Sequence, residues 1–369
     1  MRNAIIVGGG LAGLVSGIQL SMAGIPCLLI EKKSYPHHRV CGEYISNEAV
    51  PFLKRLGLYP DEFSPPQINR FQLSSVTGRH ATIPLDMGGF GISRFTFDHY
   101  LYQKAKACGV NCMLNTEVTD VRFQGEKFTI STQVKNFEAD VVIGAFGKRS
   151  KLDLTMGRRF ITKRSPYAAI KYHIRTDHPA NLIALHNFRD GYCGISNVED
   201  GKTNLCYLTH RNNLRKTGSI ASLEKEILQK NNLLKYVFSN SEFLFEKPEV
   251  INEISFATKD PVEGHVLMAG DAAGMITPLC GNGMAMALHS SKVVSALVIQ
   301  YCRAEITRTQ LEKMYSDQWN VKFANRLRTG RRIQKLFGNA LLSNAAVNLA
   351  LYSRPVADLI VRQTHGEEF

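Results

Sequence analysis

The chain has 369 residues, of which 44% are hydrophobic and 21% are charged. This composition is typical of a globular protein rather than a disordered or membrane-spanning one, and the length predicts about two or three domains. The formal net charge of +13 is concentrated in residues 147–164 and 318–357, and because neither segment interleaves aromatic residues with the basic ones, we expect no nucleic-acid partner.

The first elements form a β-α-β unit. Residues 3–7 are continuously apolar, as in a buried parallel strand, residues 11–23 follow as a helix, and residues 27–30 form a second strand. The later elements are a helix at 93–110, a hairpin over 117–123 and 127–134, a buried strand at 139–147, short antiparallel strands over 165–258 with a helix near 219–231, a buried strand at 265–274 and a buried helix at 283–302, followed by helical patterns. This order predicts an α/β protein with a second, antiparallel sheet.

Three glycines connect the first strand to the first helix. Gly8, Gly10 and Gly13 follow the GxGxxG spacing. The first glycine allows a tight turn, the second lets the backbone approach a pyrophosphate, and the third lets the helix pack on the strand. The helix N-terminus adds free N–H groups. Glu31 closes the second strand, where a carboxylate can bind both hydroxyls of an adenosine ribose. We therefore predict a dinucleotide site rather than a glycine-rich sheet edge.

A second glycine-rich motif, far downstream, indicates which dinucleotide binds. A strand ends at Gly270-Asp271, and Gly281-Asn282-Gly283 precede the buried helix. An Asp at a strand end can accept a hydrogen bond from a ribityl hydroxyl, and a helix N-terminus can stabilise negative charge at the N1/C2 edge of a reduced flavin. Because NAD has no such part, the motif predicts FAD.

Together these motifs resemble the FAD-dependent geranylgeranyl reductase family, within the para-hydroxybenzoate hydroxylase superfamily. The resemblance spans roughly residues 1–300 and is carried by the GxGxxG motif with Glu31, YPHHRVCGEYIS (35–46), SRFTFDHYL (93–101), GAFGKRS (144–150) and GDAAG…P..GNGM (270–284). It implies a Rossmann-like, discontinuous FAD-binding domain with an inserted antiparallel-sheet substrate domain and a C-terminal helical segment. The implied bounds are 1–75, 93–160 and 259–303 for the FAD-binding domain, 76–92 and 161–258 for the substrate domain, and 304–369 for the helical region.

The resemblance also implies roles for individual residues. Arg39 and Arg94 are expected near the FAD phosphates or the ribityl chain, and Asp271 at the ribityl chain. Gly283 and Met284 are expected to offer backbone N–H groups to the flavin ring. The full expected cofactor-binding set is Gly8, Gly10, Gly13, Glu31, Lys32, Arg39, Arg94, Gly147, Asp271, Pro278, Gly281, Asn282, Gly283 and Met284.

The chain departs from the superfamily at its third motif. That motif has an Asp-Gly pair, a following Ser and a later Arg, and is associated with binding both FAD and a nicotinamide reductant. Here Phe146 stands before Gly147, and Asp153 stands where the Arg is expected. No second GxGxxG follows a later strand. We therefore expect NAD(P)H to bind only transiently, or another carrier to deliver the electrons.

The segment 41–43 supplies the candidate catalytic residues. Cys41 can contact substrate or donate a proton, or it is a small buried packing residue, and the same alternatives hold for Cys280. Glu43 can act as an acid or form an ion pair with nearby Arg39. His37 and His38 are expected to be exposed loop residues.

The first functional interpretation is an FAD-dependent oxidoreductase that reduces carbon–carbon double bonds of an apolar isoprenoid- or polyketide-like substrate by hydride transfer from flavin N5. One alternative is an FAD-dependent monooxygenase that hydroxylates an aromatic or polyene substrate through a flavin hydroperoxide. A third is a non-catalytic FAD-binding electron-relay protein. The single tryptophan, Trp319, argues against a tryptophan-type halogenase, whose Trp-x-Trp-x-x-Pro segment this chain lacks.

The cysteine spacing and the basic segments indicate the compartment and the binding partners of the protein. The eight cysteines are scattered without a CxxC pair, which indicates free thiols in a reducing compartment and no metal site. No run of about 18 apolar residues occurs. We therefore expect a cytoplasmic protein, free or peripheral to the membrane. The basic segments predict either a solvated face or a surface for an anionic carrier protein or membrane.

Overall fold

The computed structural model describes residues 2–162, 164–277, 281–334, 339–352 and 366–369. Its strands are β1 Ala4–Val7, β2 Cys27–Ile30, β3 Tyr44–Ser46, β4 Gln67–Ser74, β5 His80–Gly91, β6 Asn111–Met113, β7 Val118–Gln124, β8 Lys127–Thr132, β9 Asn136–Ala139, β10 Val141–Gly144, β11 Tyr167–Arg175, β12 Leu182–Phe188, β13 Gly191–Asn197, β14 Thr203–His210, β15 Glu242–Phe243, β16 Glu249–Ile251, β17 Val262–Glu263 and β18 Val266–Met268. Its helices are α1 Leu11–Met22, α2 Val50–Arg55, α3 Arg94–Ala107, α4 Lys151–Thr155, α5 Arg211–Thr217, α6 Ile220–Glu226, α7 Asn232–Asn240, α8 Gly283–Cys302, α9 Arg308–Trp319, α10 Asn325–Gln334 and α11 Ala340–Tyr352.

The first sheet is the parallel sheet that the sequence predicts. Its six strands run in the order β17-β18-β10-β1-β2-β6, with β1 between β10 and β2, and only the edge strand β17 is antiparallel. All four residues of β1 are buried, as expected for a strand with helices on both faces of its sheet. The carboxyl ends of β1, β2, β10 and β18 therefore meet at one edge, where ligands of such folds bind. The α/β fold class with a Rossmann-like domain is confirmed.

The second sheet has nine strands in the described residues. Eight of them run in the order β15-β11-β14-β13-β12-β4-β5-β3, and β16 pairs with β11. Every pair is antiparallel except β4 with β12. The strands β3 and β4 lie in this sheet, although the expected bounds put residues 1–75 with the FAD-binding domain. The domain bounds themselves stay a prediction.

Smaller elements complete the fold. The strands β7, β8 and β9 form a three-stranded antiparallel sheet that contains the predicted hairpin. The single helix predicted near 219–231 is instead α6 followed by a short 3-10 turn at Leu228–Lys230, because Asn231 ends that turn and caps α7.

The C-terminal region is helical, as predicted. The helices α9 and α10 are joined by a π-helical turn at Asn320–Ala324. This segment packs on the loop after β18, since a Cβ added to Gly274 would lie 2.9 Å from Leu327 and 3.4 Å from Trp319. Among the described helices none has both the length and the apolar character needed to cross a membrane.

Candidate active site

The turn between β1 and α1 requires its glycines. Gly8 has a φ of +106°, and a Cβ there would lie 2.5 Å from the carbonyl oxygen of Ala145. A Cβ on Gly13 would lie 1.9 Å from the carbonyl oxygen of Gly8. The N-cap of α1, Gly10, provides no side-chain cap, and the first turn holds no acidic residue. The first amide groups of α1 are therefore left for an anionic ligand, which fits the pyrophosphate of FAD.

Glu31 lies beside this turn at the end of β2. Its Oε2 accepts a hydrogen bond of 2.6 Å from the Gly9 amide, and its Oε1 accepts one of 3.0 Å from the Lys33 amide. The side chain is buried, whereas Lys32 is exposed. The backbone thus fixes the Glu31 carboxylate beside the glycine turn. Its contact with the FAD ribose stays a prediction.

Two arginines meet one carboxylate next to the glycine turn. The Asp98 carboxylate, fully buried on α3, accepts hydrogen bonds from Arg94 Nε (2.6 Å) and Nη2 (2.7 Å) and from Arg39 Nε (3.0 Å). A Cβ on Gly10 would be 3.7 Å from Arg94 Nη2, which places this guanidinium at the turn. Arg39 Nη2 is buried and has no hydrogen-bond partner among the described residues, with Glu31 Oε2 at 3.6 Å. A phosphate oxygen of FAD would satisfy it.

Sequence reasoning did not identify Asp98 as a site residue. The available signal was its position four residues after Arg94, where two side chains meet on one helix face. By accepting from both guanidinium groups, Asp98 holds them side by side, although like charges repel. It is therefore a positioning residue of the candidate FAD site.

The turn after β18 is held from one side by α8. Gly270 has a φ of +60°, and its amide donates a 2.8 Å hydrogen bond to Ser290 Oγ. The next residue, Asp271, is half-buried. Within the described residues its carboxylate accepts no hydrogen bond and makes no ion pair. Its bond to a ribityl hydroxyl stays a prediction.

The start of α8 is the element that the sequence predicts at the flavin ring. Its N-cap, Asn282, makes no side-chain cap hydrogen bond, and its first turn contains no acidic residue. Gly281 has a φ of +66° and packs against the Tyr44 ring, whereas Gly147, at +85°, has no atom within 4 Å of an added Cβ. Gly283 and Met284 form the first turn of α8. Pro278 and Cys280 lie outside the described residues.

Glu43 is the centre of a buried polar cluster. Its backbone has a φ of +54°, and its Oε1 accepts from Lys171 Nζ and, at 2.7 Å, from the Arg94 amide. Its Oε2 lies 2.6 Å from His173 Nε2. The ion pair expected with Arg39 is wrong, because Arg39 is bound by Asp98 and β11 supplies the partners of Glu43.

The charges in this cluster determine the protonation of Glu43. Burial alone raises the pKa of Glu43, but Lys171 and His173 outweigh burial and bring this pKa down to about 2. Glu43 is therefore ionised at neutral pH and has no proton to donate. The acid role considered for Glu43 does not fit this geometry, whereas a structural role does.

Cys41 lies in a loop that the large sheet holds by its carbonyl groups. Asn204 Nδ2 donates to the Cys41 carbonyl at 3.2 Å, and Ser196 Oγ donates to the Gly42 carbonyl at 3.4 Å. The Cys41 thiol is half-buried and accepts a 3.5 Å hydrogen bond from the Glu43 amide. The loop 41–43 is therefore fixed to β13 and β14. A role of Cys41 in catalysis stays a prediction.

The expectation that His37 and His38 are exposed is wrong, because both are half-buried. The His38 ring stacks on Phe95 at 4.6 Å and meets the His173 ring edge-on at 5.3 Å. Burial, then the positive charges of Lys171 and His173, lower the pKa of His38 to about 4. His38 is therefore a neutral side chain of the cluster at pH 7.

An apolar cluster joins the two cofactor-side loops to the large sheet. Val40, next to Cys41, and Met275, in the loop after Asp271, pack in one buried group with residues of the sheet and with Val347 of α11. The sheet and loop residues of this group are Leu73, Ala81, Ala169, Leu185, Tyr192, Leu208 and Ile254. We call this set the apolar cluster. It packs both candidate FAD-contacting loops against the large sheet and α11.

Comparisons with known proteins agree with this geometry. Residues 1–304 match the family described as FAD binding domain. The digeranylgeranylglycerophospholipid reductase 2 of Methanopyrus kandleri is 24% identical over 385 aligned positions, which cover 99% of this chain and 93% of that protein. The solved geranylgeranyl bacteriochlorophyll reductase-like protein of Thermoplasma acidophilum superimposes with a TM-score of 0.78 at 15% identity, covering 100% of this chain and 96% of that one.

Halogenating enzymes have the same fold. The flavin-dependent brominase Bmp2 superimposes with a TM-score of 0.76 at 19% identity, covering 99% of this chain and 94% of that chain. At such identity the likeness shows the fold alone. The sequence matches identify the family: the chain belongs to the FAD binding domain family and is an FAD-dependent oxidoreductase, and its resemblance to the geranylgeranyl reductase-like branch is confirmed.

Proposed function

We propose that this protein reduces a carbon–carbon double bond in an extended apolar, isoprenoid-like chain. The observation that carries the proposal is the apolar cluster, in which Val40 and Met275 of the two candidate FAD-contacting loops pack with apolar side chains of the large sheet. Apolar surroundings next to these loops suit a hydrocarbon chain, which offers no group for hydrogen bonding. A relative is named digeranylgeranylglycerophospholipid reductase, which supports the same substrate class.

The residues that would hold FAD come from two parts of the chain. The amide groups at the start of α1, the Glu31 carboxylate and the Arg39–Arg94 pair would hold its ADP portion. Asp271 and the start of α8 would hold its ribityl and ring portion. When bound, the flavin supplies the two electrons of the reduction.

The chain's own residues would control water and the proton. The apolar cluster keeps water away from the reacting carbons, which leaves few competing proton sources. Cys41 follows Val40 directly and is the other candidate of the segment 41–43, whereas the ionised Glu43 has no proton to donate. We therefore assign the proton to Cys41 and the orientation of its loop to Glu43.

The source of electrons is a separate part of the proposal. Because Phe146 and Asp153 replace the nicotinamide-associated residues of the third motif, we propose a transient reductant or a separate electron carrier. An anionic carrier protein or membrane surface as the source of the substrate stays a proposal of the same kind, motivated by the basic segments 147–164 and 318–357.

An anaerobic turnover experiment tests the function. The FAD-loaded protein is reduced with dithionite without oxygen and mixed with a geranylgeranyl-chain lipid, with the fully saturated lipid as control. We expect flavin reoxidation and a product two hydrogens heavier with the unsaturated lipid only. Replacing Cys41 by Ser should slow reoxidation by about 10²-fold or more, because general-acid catalysis contributes on that order, while Cys108→Ser, an exposed thiol, should not.

Two other outcomes would overturn the proposal. If no anaerobic product forms but, in the presence of labelled oxygen gas, an aromatic or polyene substrate gains one labelled oxygen atom, the protein is a monooxygenase. If the reduced protein passes electrons to a soluble acceptor and converts no substrate under either condition, it is an electron-relay protein.

A further inference from the structure

The residue that replaces the expected motif arginine has its own buried cation. Asp153 is fully buried at the start of α4, where it caps the helix together with Ser150. Its Oδ1 accepts a 2.9 Å hydrogen bond from Arg158 Nη1. Arg158 is only 1% exposed. The positive charge missing from position 153 is thus present five positions later, paired with Asp153.

Arg158 connects α4 to the turn that presents Asp271. Its Nη1 also donates to the carbonyl oxygen of Ala272 at 3.0 Å, and its Nε donates to Glu263 Oε2 at 2.6 Å. A further donor, Nη2, lies 3.3 Å from the carbonyl oxygen of Asp260. The rigid, planar guanidinium satisfies these acceptors from one position, which an ammonium group cannot do.

A second buried cation holds the adjacent carbonyl. Lys259 is 7% exposed, and its Nζ donates to the carbonyl oxygens of Asp271 and Lys148, both at 2.8 Å. The same ammonium lies 4.3 Å from the centre of the Phe160 ring. It makes no salt bridge with a carboxylate in the described part of the chain. Burial outweighs the attraction of Asp153 and Asp271 and lowers the pKa of Lys259 to about 8.

The turn 270–272 is therefore fixed at three consecutive residues. The Gly270 amide is bound to Ser290, the Asp271 carbonyl to Lys259 and the Ala272 carbonyl to Arg158. All three bonds use the backbone, so none of them occupies the Asp271 carboxylate. Lys259, which has no carboxylate partner in the described part of the chain, also offsets the negative charge that Asp271 adds there.

We propose that Arg158 and Lys259 are positioning residues for FAD, which hold the turn 270–272 so that the Asp271 carboxylate faces the cofactor. They preorganise the turn, so that FAD does not have to order it on binding. The proposal rests on FAD binding alone and does not depend on which bond the enzyme reduces. It assigns a function to the altered third motif of the sequence, whose Asp153 serves as the counter-ion of Arg158.

Titration of the apo-protein with FAD, followed by flavin fluorescence, tests the proposal. Lys259→Met keeps the length of the side chain and removes the donor, and it should raise the FAD dissociation constant about tenfold or more, as for a lost hydrogen bond from a charged group. The matched control is Lys151→Met, since Lys151 is exposed and its ammonium pairs with Glu117 at 3.3 Å. This control should leave the dissociation constant within about twofold. Thermal melting of each apo-protein reports whether the variant folds.

A double-variant cycle separates positioning from a merely structural effect. In an Asp271→Ala background Lys259→Met should change the FAD dissociation constant little, because the turn no longer presents a carboxylate. The proposal is wrong if Lys259→Met raises the FAD dissociation constant by the same factor in the Asp271→Ala background as in the wild type. It is also wrong if the Lys259→Met protein binds FAD like the wild type. If Lys259→Met does not fold, Arg158→Lys replaces it in the same cycle. This variant keeps a positive charge beside Asp153 but loses the hydrogen bond to the Ala272 carbonyl oxygen.

Discussion

Replacing Glu43 by Gln tests the buried polar cluster most directly. The substitution keeps the shape of the side chain but removes the charge that neutralises Lys171, whose side chain is completely buried. Glutamine can still accept from Lys171 Nζ or the Arg94 amide, but it leaves a buried ammonium without a counter-ion. We therefore expect a destabilised protein that keeps its fold.

The magnitude follows from the lowered pKa of Glu43. A fall in this pKa from its ordinary 4.5 to about 2 corresponds to about 3 kcal/mol of stability at neutral pH. A stranded buried charge costs about 3–5 kcal/mol in other proteins, which is the same order. For 369 residues, an unfolding entropy of ~2.1 cal/mol/K per residue converts about 3 kcal/mol into a melting temperature lower by about 4 °C.

The assay is thermal and urea unfolding of the apo-protein at several pH values. Since the pKa of Glu43 is lower in the folded state than in the unfolded one, its stabilisation is fully present above pH 4.5 and lost as the pH falls towards 2. The difference between wild type and Glu43→Gln should therefore be largest near neutral pH and shrink below pH 4.5. Glu226→Gln, at an exposed position on α6, is the matched control and should show no such difference.

A second substitution identifies the stranded charge as the cause. Adding Lys171→Met to Glu43→Gln removes the unpaired ammonium and should recover part of the lost stability. If Glu43→Gln costs less than about 1 kcal/mol at pH 7, or if the loss is the same at pH 3, the ion-pair reasoning is refuted.

Two further substitutions test the first motif. Gly13→Ala puts a Cβ 1.9 Å from the carbonyl oxygen of Gly8, so it should lower the free energy of unfolding by about 1–3 kcal/mol. It should also reduce the flavin absorbance per protein after purification. Normal flavin content would contradict the packing argument. Glu31→Ala should weaken FAD binding by about 1.5–3 kcal/mol, because a charge-assisted hydrogen bond is lost. Fluorescence titration with FAD measures this change. Unchanged FAD binding with weakened NADH binding would show that the motif serves a nicotinamide cofactor.

Short-range patterns in the sequence were enough to predict the cofactor-binding half of the fold. The apolar run of β1, the spacing of Gly8, Gly10 and Gly13, and the apolar run of β2 each act within a few residues. The position of Glu31 beside the glycine turn follows from them, because parallel neighbours end at the same sheet edge. Asp98 was missed because its second arginine, Arg39, lies 59 residues away.

The sequence predicted that the large sheet is antiparallel, but not which strands belong to it. Alternating strands over 165–258 indicated an antiparallel sheet, and β11 to β14 confirm it. That β3 and β4 add to the same sheet depends on hydrogen bonds between segments far apart in sequence, such as β4 with β12. No periodicity within a strand specifies its partner.

Only the tertiary structure shows which charged side chains form ion pairs and which are buried. The sequence shows seven basic residues in 147–164, yet Arg158 is buried on Asp153, Arg149 pairs with Glu253 at 2.8 Å, and Lys151 pairs with Glu117 at 3.3 Å. Glu43 likewise finds its partners on β11, 128 and 130 residues away, rather than at nearby Arg39. A charge count records how many ionic groups a segment has, but which of them meet, and which stay in water, depends on how distant strands and helices pack.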